Sequence, residues 1–159
     1  MNTSRLMFRF TLLIFLVCGC LLPFRKVGAA VGTPGQVPAI LQSGFNAWAK
    51  NRDASWAFDV WKTGGLLEQD SKPTSLSRYF IQLDRVLGPY QNYEVIETKS
   101  VSQNVEVIYL SINFAHAAVF GRFLLYKTKK DWVVQNMDFS AKPEAVMPWL
   151  AFEGQNSAP

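Results

Sequence analysis

Leu76, Phe80, Leu83 and Leu87 recur at i, i+4, i+7 and i+11, an apolar stripe down one side of a helix. That segment is expected to start after Pro73, with Thr74 or Ser75 as its cap, and Gly88-Pro89 stops it. The same period appears earlier in Leu41, Phe45 and Trp48. It returns in Trp56, Ala57, Val60 and Trp61 after a cap at Asn51 or Asp53, and Gly64-Gly65 ends it. Leu66 to Pro73 reads as a polar connector. Beyond Pro89 the period shortens to two. Tyr93 to Val101, Asn104 to Ala115, Val119 to Lys127 and Trp132 to Ser140 are runs of β-branched and aromatic residues that predict four strands. The gaps between them are short, so neighbours should pair antiparallel. Pro143 to Leu150 predicts a short terminal turn or helix. Helices followed by a four-strand meander predict an α+β fold, with the N-terminal helices packed on one face of the sheet.

Loop lengths predict which face. A turn centred on His116-Ala117 pairs Asn113 with Phe120, and a four-residue turn centred on Lys129-Lys130 pairs Gly121 with Asp138. Paired residues and alternate residues share a face. One face then holds Ile108, Leu110, Ile112 and Phe114, then Val119, Gly121, Phe123 and Leu125, then Trp132, Val134, Asn136 and Asp138. It is apolar except at one corner and should receive the helices. The other face holds Val107, Tyr109, Ser111 and Asn113, then Phe120, Arg122, Leu124 and Tyr126, then Val133, Gln135, Met137 and Phe139, mixed and too aromatic for plain solvent surface. A slip of one residue in either loop exchanges the faces.

Charge changes the picture of the first thirty residues. The chain carries 16 Lys+Arg and 12 Asp+Glu, a formal net charge of +4. Arg5, Arg9, Arg25 and Lys26 precede residue 31, and the first acid is Asp53. The remainder is therefore balanced, and a nucleic-acid partner loses its electrostatic support. Residues 1–30 have the order of a secretory signal: Arg5 and Arg9, an apolar run from Phe10 to Phe24, then Gly28, Ala29 and Ala30. Arg25 and Lys26 depart from that order, and Val17-Cys18-Gly19-Cys20 resembles a lipoprotein cleavage box, so three fates stand: a cleaved signal, a lipid anchor, or an uncut membrane anchor over residues 6–24. Each implies export to a periplasmic, envelope or secreted location. Residues 31–37 read as a linker, 38–152 as one domain and 153–159 as a loose tail. Both cysteines, Cys18 and Cys20, belong to the leader, so the domain carries no disulfide and no thiolate metal site.

From residue 38 to about residue 150 the element order resembles the nuclear-transport-factor-2-like superfamily, also called cystatin-like. The resemblance lies in the opening helix pair, the Leu76 to Gly88 helix leading into Tyr93 to Val101, and the long meander. The Leu87-Gly88-Pro89-Tyr90 stop, Trp132 just after a hairpin turn, and the Asn136 to Phe139 ending look like small bacterial exported members. The resemblance implies a cone-like α+β roll, in which helices close a curved sheet around a pocket. Some members are isomerases or dehydratases, and many are dimeric binding domains.

Candidate chemistry is sparse. On the expected register Asp138 stands in the cone beside Gly121 and near Asn136, with Phe123, Trp56 and Trp61 completing an apolar pocket. A carboxylate there would act as a general base, the basis of an isomerase or dehydratase reading. The alternative is a hydrated strand-end aspartate with aromatic residues that are simply core. His116 is the one histidine and is expected in an exposed turn, so no multi-histidine metal site and no cofactor is implied. Tyr109, Phe120, Arg122, Tyr126 and Met137 have the composition of an interface, for a homodimer or an envelope partner. Lys127, Lys129 and Lys130 cluster at one hairpin tip, where a solvated cap is the ordinary reading and weak contact with an anionic surface the other. The weight of these features favours a non-catalytic binding domain, of a protein partner or a small apolar ligand.

Overall fold

The structure is a computed structural model that describes residues 37–153. The expected leader and the last six residues lie outside the described residues. The elements are α1 (Ala39–Asn51), α2 (Ser55–Trp61), a 3-10 turn (Leu66–Gln69) and α3 (Lys72–Leu87). There follow β1 (Tyr90–Ser102), β2 (Val105–Phe114), β3 (Ala118–Lys127), β4 (Trp132–Ser140), α4 (Pro143–Val146) and α5 (Pro148–Glu153). The fold is α+β: helices, then one open antiparallel sheet in the order β1-β2-β3-β4.

The apolar stripes become the core. Leu41, Phe45 and Trp48 of α1, Phe58 and Trp61 of α2 and Phe80 of α3 are all buried against Ile108, Leu110, Ile112, Phe123 and Leu125 of the sheet. Asp53, one of the two expected caps, stands just before α2, whose N-cap position is Ala54, and its Oδ1 accepts the Ser55 N–H at 2.8 Å. α3 starts at Lys72 rather than after Pro73. Proline lacks a donor, which the first turn does not use, and Asp70 Oδ1 accepts the Lys72 N–H at 2.8 Å. Thr74 and Ser75 therefore lie inside the first turn. Gly88 ends α3 at φ 78, and any Cβ there would press on Ala115 at 2.7 Å, so the stop needs glycine twice over. β1 begins at Tyr90, three residues before the expected start, because its backbone N–H is taken by Asp84 Oδ1 and it pairs directly with Phe114.

Register decides the rest. The β2–β3 turn is centred on Ala115-His116, so Asn113 pairs with Ala118 and not with Phe120. That is a two-residue shift, which leaves every side chain on its expected face. Near the β3–β4 turn the expected pairing holds, with Lys127 opposite Trp132 and Leu125 opposite Val134. One step further Leu124 pairs with Asn136, which leaves Gln135 as an extra residue in a β-bulge. From there to the strand end the faces exchange. Met137 pairs with Phe123 and is fully buried, Phe139 pairs with Gly121 and packs on the core, and Asn136 and Asp138 turn to the outer face. The expected placement of Asn136 and Asp138 inside, and of Met137 and Phe139 outside, is corrected by this single residue.

Candidate functional site

The interior space expected to form a pocket is filled. Trp61 lies edge-on to Phe45, Phe58 and Phe123, with ring centroids 4.8, 5.1 and 5.0 Å away. Its indole Nε1–H donates to Leu41 O at 3.4 Å, and Gly44 makes room for it: a Cβ on Gly44 would overlap the indole. Phe139 closes the far side, 4.8 Å from Phe80 and 5.5 Å from Phe123. The space left by Gly121 is taken by that same ring, which a Cβ would approach to 3.0 Å. Of the expected pocket residues, Phe123 and Trp61 are therefore core, Gly121 is a packing glycine, and Trp56 stands on the solvent side of α2 at 53% exposure.

Asp138 sits in a polar cluster at the sheet edge. Its Oδ2 accepts from Arg122 Nη2 at 2.7 Å across the β3–β4 ladder, and its Oδ1 accepts from Lys72 Nζ at 3.0 Å. Lys72 Nζ also donates to Asn136 Oδ1 at 2.6 Å, and that oxygen accepts the Met137 N–H at 2.9 Å. Partial burial pushes the Asp138 pKa up. Hydrogen bonds from Arg122 and Lys72, and their charges, more than offset this and hold the carboxyl below its ordinary 3.8. It is thus an ionised acceptor with two cations on it, the opposite of a carboxyl poised to take a proton at neutral pH. Sequence reasoning missed Lys72 because it comes from the start of a helix more than sixty residues away.

The outer face of the sheet also differs from expectation, since the chain covers part of it. α4 and α5 lie there. Val146 and Met147 are buried with Tyr109, and Val107, Phe120, Trp149 and Leu150 pack around them. Trp149 meets Tyr109 edge-on at 4.6 Å, and Lys99 Nζ stands 3.8 Å from the Trp149 ring centroid. Tyr109 and Phe120, expected at an interface, are thus roofed by the C-terminal helices. Arg122 is held by Asp138, Met137 is in the core, and Tyr126 remains exposed. The signal for this roof was present in Val146, Met147, Trp149 and Leu150, an apolar set after Pro143 that required a surface to cover.

His116 is exposed in the β2–β3 turn, its N–H donating to Leu87 O at 2.9 Å. Among the described residues no group of three or more His, Cys, Asp or Glu side chains is placed to hold a metal, and no helix is long and apolar enough to cross a membrane. The described residues also form open surface grooves, among them two with a tryptophan in the wall. One, of about 480 Å³, is walled by Trp48, Pro89 and Tyr90, with Arg52, Asp84 and Gln91 at its rim. Burial pushes the Tyr90 phenol up to about 12, with Tyr93 adding to the shift, so it is neutral there. The other, of about 430 Å³, lies between the start of α1 and the β3–β4 turn and includes Ile40, Gly64, Lys127, Lys130, Trp132 and Val133. Comparison with protein-family profiles, with curated protein sequences and with solved structures returns no match to this chain.

Proposed function

We propose that the chain is an exported cell-envelope domain of nuclear-transport-factor-2-like design that acts by binding and not by catalysis. The observation that carries the reading is the filling of the space between helices and sheet by Phe45, Phe58, Trp61, Phe123 and Phe139. In a cone enzyme that space receives the substrate. Here a ligand or partner meets the molecule from outside.

The partner in this reading is a protein, with a second copy of the chain as the first case to test. Beyond the roof of α4 and α5, the outer side of β3 and β4 presents Arg122, Leu124, Tyr126, Val133 and Gln135, each half-buried or exposed. Arginine with an aromatic and aliphatic neighbours is the composition of an interface centre. Export is supported by the basic, apolar and small-residue order of residues 1–30.

Sedimentation equilibrium on the full chain tests the self-association. The expected result is a dimer that Tyr126→Glu converts to monomer without loss of helical or strand signal. A wild-type monomer at every concentration rejects the second copy as partner. Amino-terminal sequencing of protein recovered from the envelope fraction tests export, with recovery only from the cytosol as the contrary result.

A further inference from the structure

The β3–β4 turn is closed by hydrogen bonds that centre on one residue. Thr128 N donates to Asp131 O at 2.9 Å, and its Oγ1 donates to the same oxygen at 2.8 Å. The hydroxyl in turn accepts the Lys130 and Asp131 N–H groups at 3.2 and 3.0 Å. One threonine therefore ties the whole turn, and the exposed Lys129 and Lys130 project from a fixed base, with the exposed Lys127 beside them. Among the described residues no carboxylate pairs with any of the three, and Asp131 is the one acid in the turn.

A charged tip that merely protects a sheet edge needs no apolar partner. This one has a groove beside it, floored by Ile40, Trp132 and Val133. Trp132 is half-buried, and Lys127 Nζ stands 5.7 Å from its ring centroid. Gly64 lines the groove, and two residues on Leu66 is 76% exposed, the most exposed large apolar side chain described. Lysines around an amphipathic tryptophan and exposed aliphatic side chains match the layers of a lipid interface: headgroup phosphates outside, acyl chains beneath. The chain also enters the described domain here, since Ala39 and Ile40 open α1 and line the groove. The apolar run Phe10 to Phe24 and the basic pair Arg25-Lys26 precede that entry in sequence.

We propose that this corner docks the domain on an anionic bilayer surface. Lys127, Lys129 and Lys130 contact lipid phosphates, Trp132 sits at headgroup level, and Ile40 and Leu66 contact the upper acyl chains. The inference goes beyond the protein–protein reading above and does not depend on it, because it uses a different corner of the molecule and holds whether or not the chain self-associates.

Hydrogen exchange on the full chain in lipid nanodiscs tests it. Phosphatidylcholine discs are compared with discs enriched in phosphatidylglycerol, and the triple-lysine variant carries the same basic leader, so that any effect of the leader is common to it and to wild type. The amides of residues 127–133 are expected to exchange about tenfold more slowly in the anionic discs, with high salt removing the difference. Replacing Lys127, Lys129 and Lys130 together by Gln should abolish that protection while amides of α3 exchange as before, which shows that the fold survives. At about fivefold per lysine, the three together correspond to about a hundredfold in surface affinity. Equal exchange of 127–133 in the two kinds of disc overturns the proposal. So does protection that persists in the triple variant, or protection by a soluble polyanion such as heparin with none from either bilayer.

Discussion

Arg122 and Asp138 face each other across β3 and β4, the guanidinium donating to the carboxylate at 2.7 Å on the outer side of the sheet. In a strand without a bulge, Asp138 would lie opposite Gly121, inside. Whether this acid is a buried candidate base or a surface ion-pair partner therefore depends on one inserted residue, Gln135.

The ion pair makes a prediction with a defined sign. The folded-state pKa of Asp138 lies below the ordinary 3.8, so the carboxylate adds stability above that pH and loses it as pH falls through the folded value. Side chains of Asp138, Arg122 and Lys72 are each about one-third exposed or more, which limits the gain to about 0.5–1 kcal/mol. Asp138→Asn should lower stability by that amount at neutral pH in urea titrations. The gap to wild type should close as pH drops below 3.8. A gap that is constant down to acid pH would show that the charge is not what matters at this position.

Deleting Gln135 should be milder than a deletion inside a strand ordinarily is. Gln135 is the unpaired residue of the bulge, so its loss lets Asn136 follow Val134 directly while Leu124 stays opposite Asn136, Phe123 opposite Met137 and Gly121 opposite Phe139. Met137 and Phe139 then keep their places in the core, and the cost is limited to the lost local twist, about 1–2 kcal/mol. The expected outcome is a cooperative unfolding transition by circular dichroism, with Gln135→Thr close to wild type. Loss of cooperative unfolding in the deletion variant would show that the register is not held by the pairing described.

Gly44→Ala tests the filled interior. The added methyl overlaps the Trp61 indole, which is wedged among Phe45, Phe58 and Phe123 and has nowhere to move. Overpacking of this kind costs about 1–3 kcal/mol, although alanine is the better helix former. Urea denaturation followed by tryptophan fluorescence should show the loss. A stabilised variant would mean that the space around Trp61 is looser than the packing described, and would reopen the interior as a ligand site.

Local sequence patterns were enough for the elements and for most of the core. The stripe from Leu76 to Leu87 became α3, the β-branched runs became the meander, and Leu110, Phe123 and Val134 lie buried beneath the helices as their spacing implied. Periodicity reports such positions because a side chain's direction is a local property, repeating every 3.6 residues in a helix and every second residue in a strand. The candidate site was not legible in that way. The bulge left only a faint trace in the sequence, the polar pair Gln135-Asn136 after which the apolar positions fall on Met137 and Phe139, and it reads equally as a polar corner; yet it reversed the faces of Asn136, Met137 and Asp138. Lys72 reached Asp138, and Trp149 reached Tyr109, only because the chain folds back on itself over distances that no spacing rule covers. What the sequence determined alone was the set of amphipathic elements. Which polar groups meet, and whether the space between the layers stands open or is filled by rings, was decided by register and packing between elements remote in the chain.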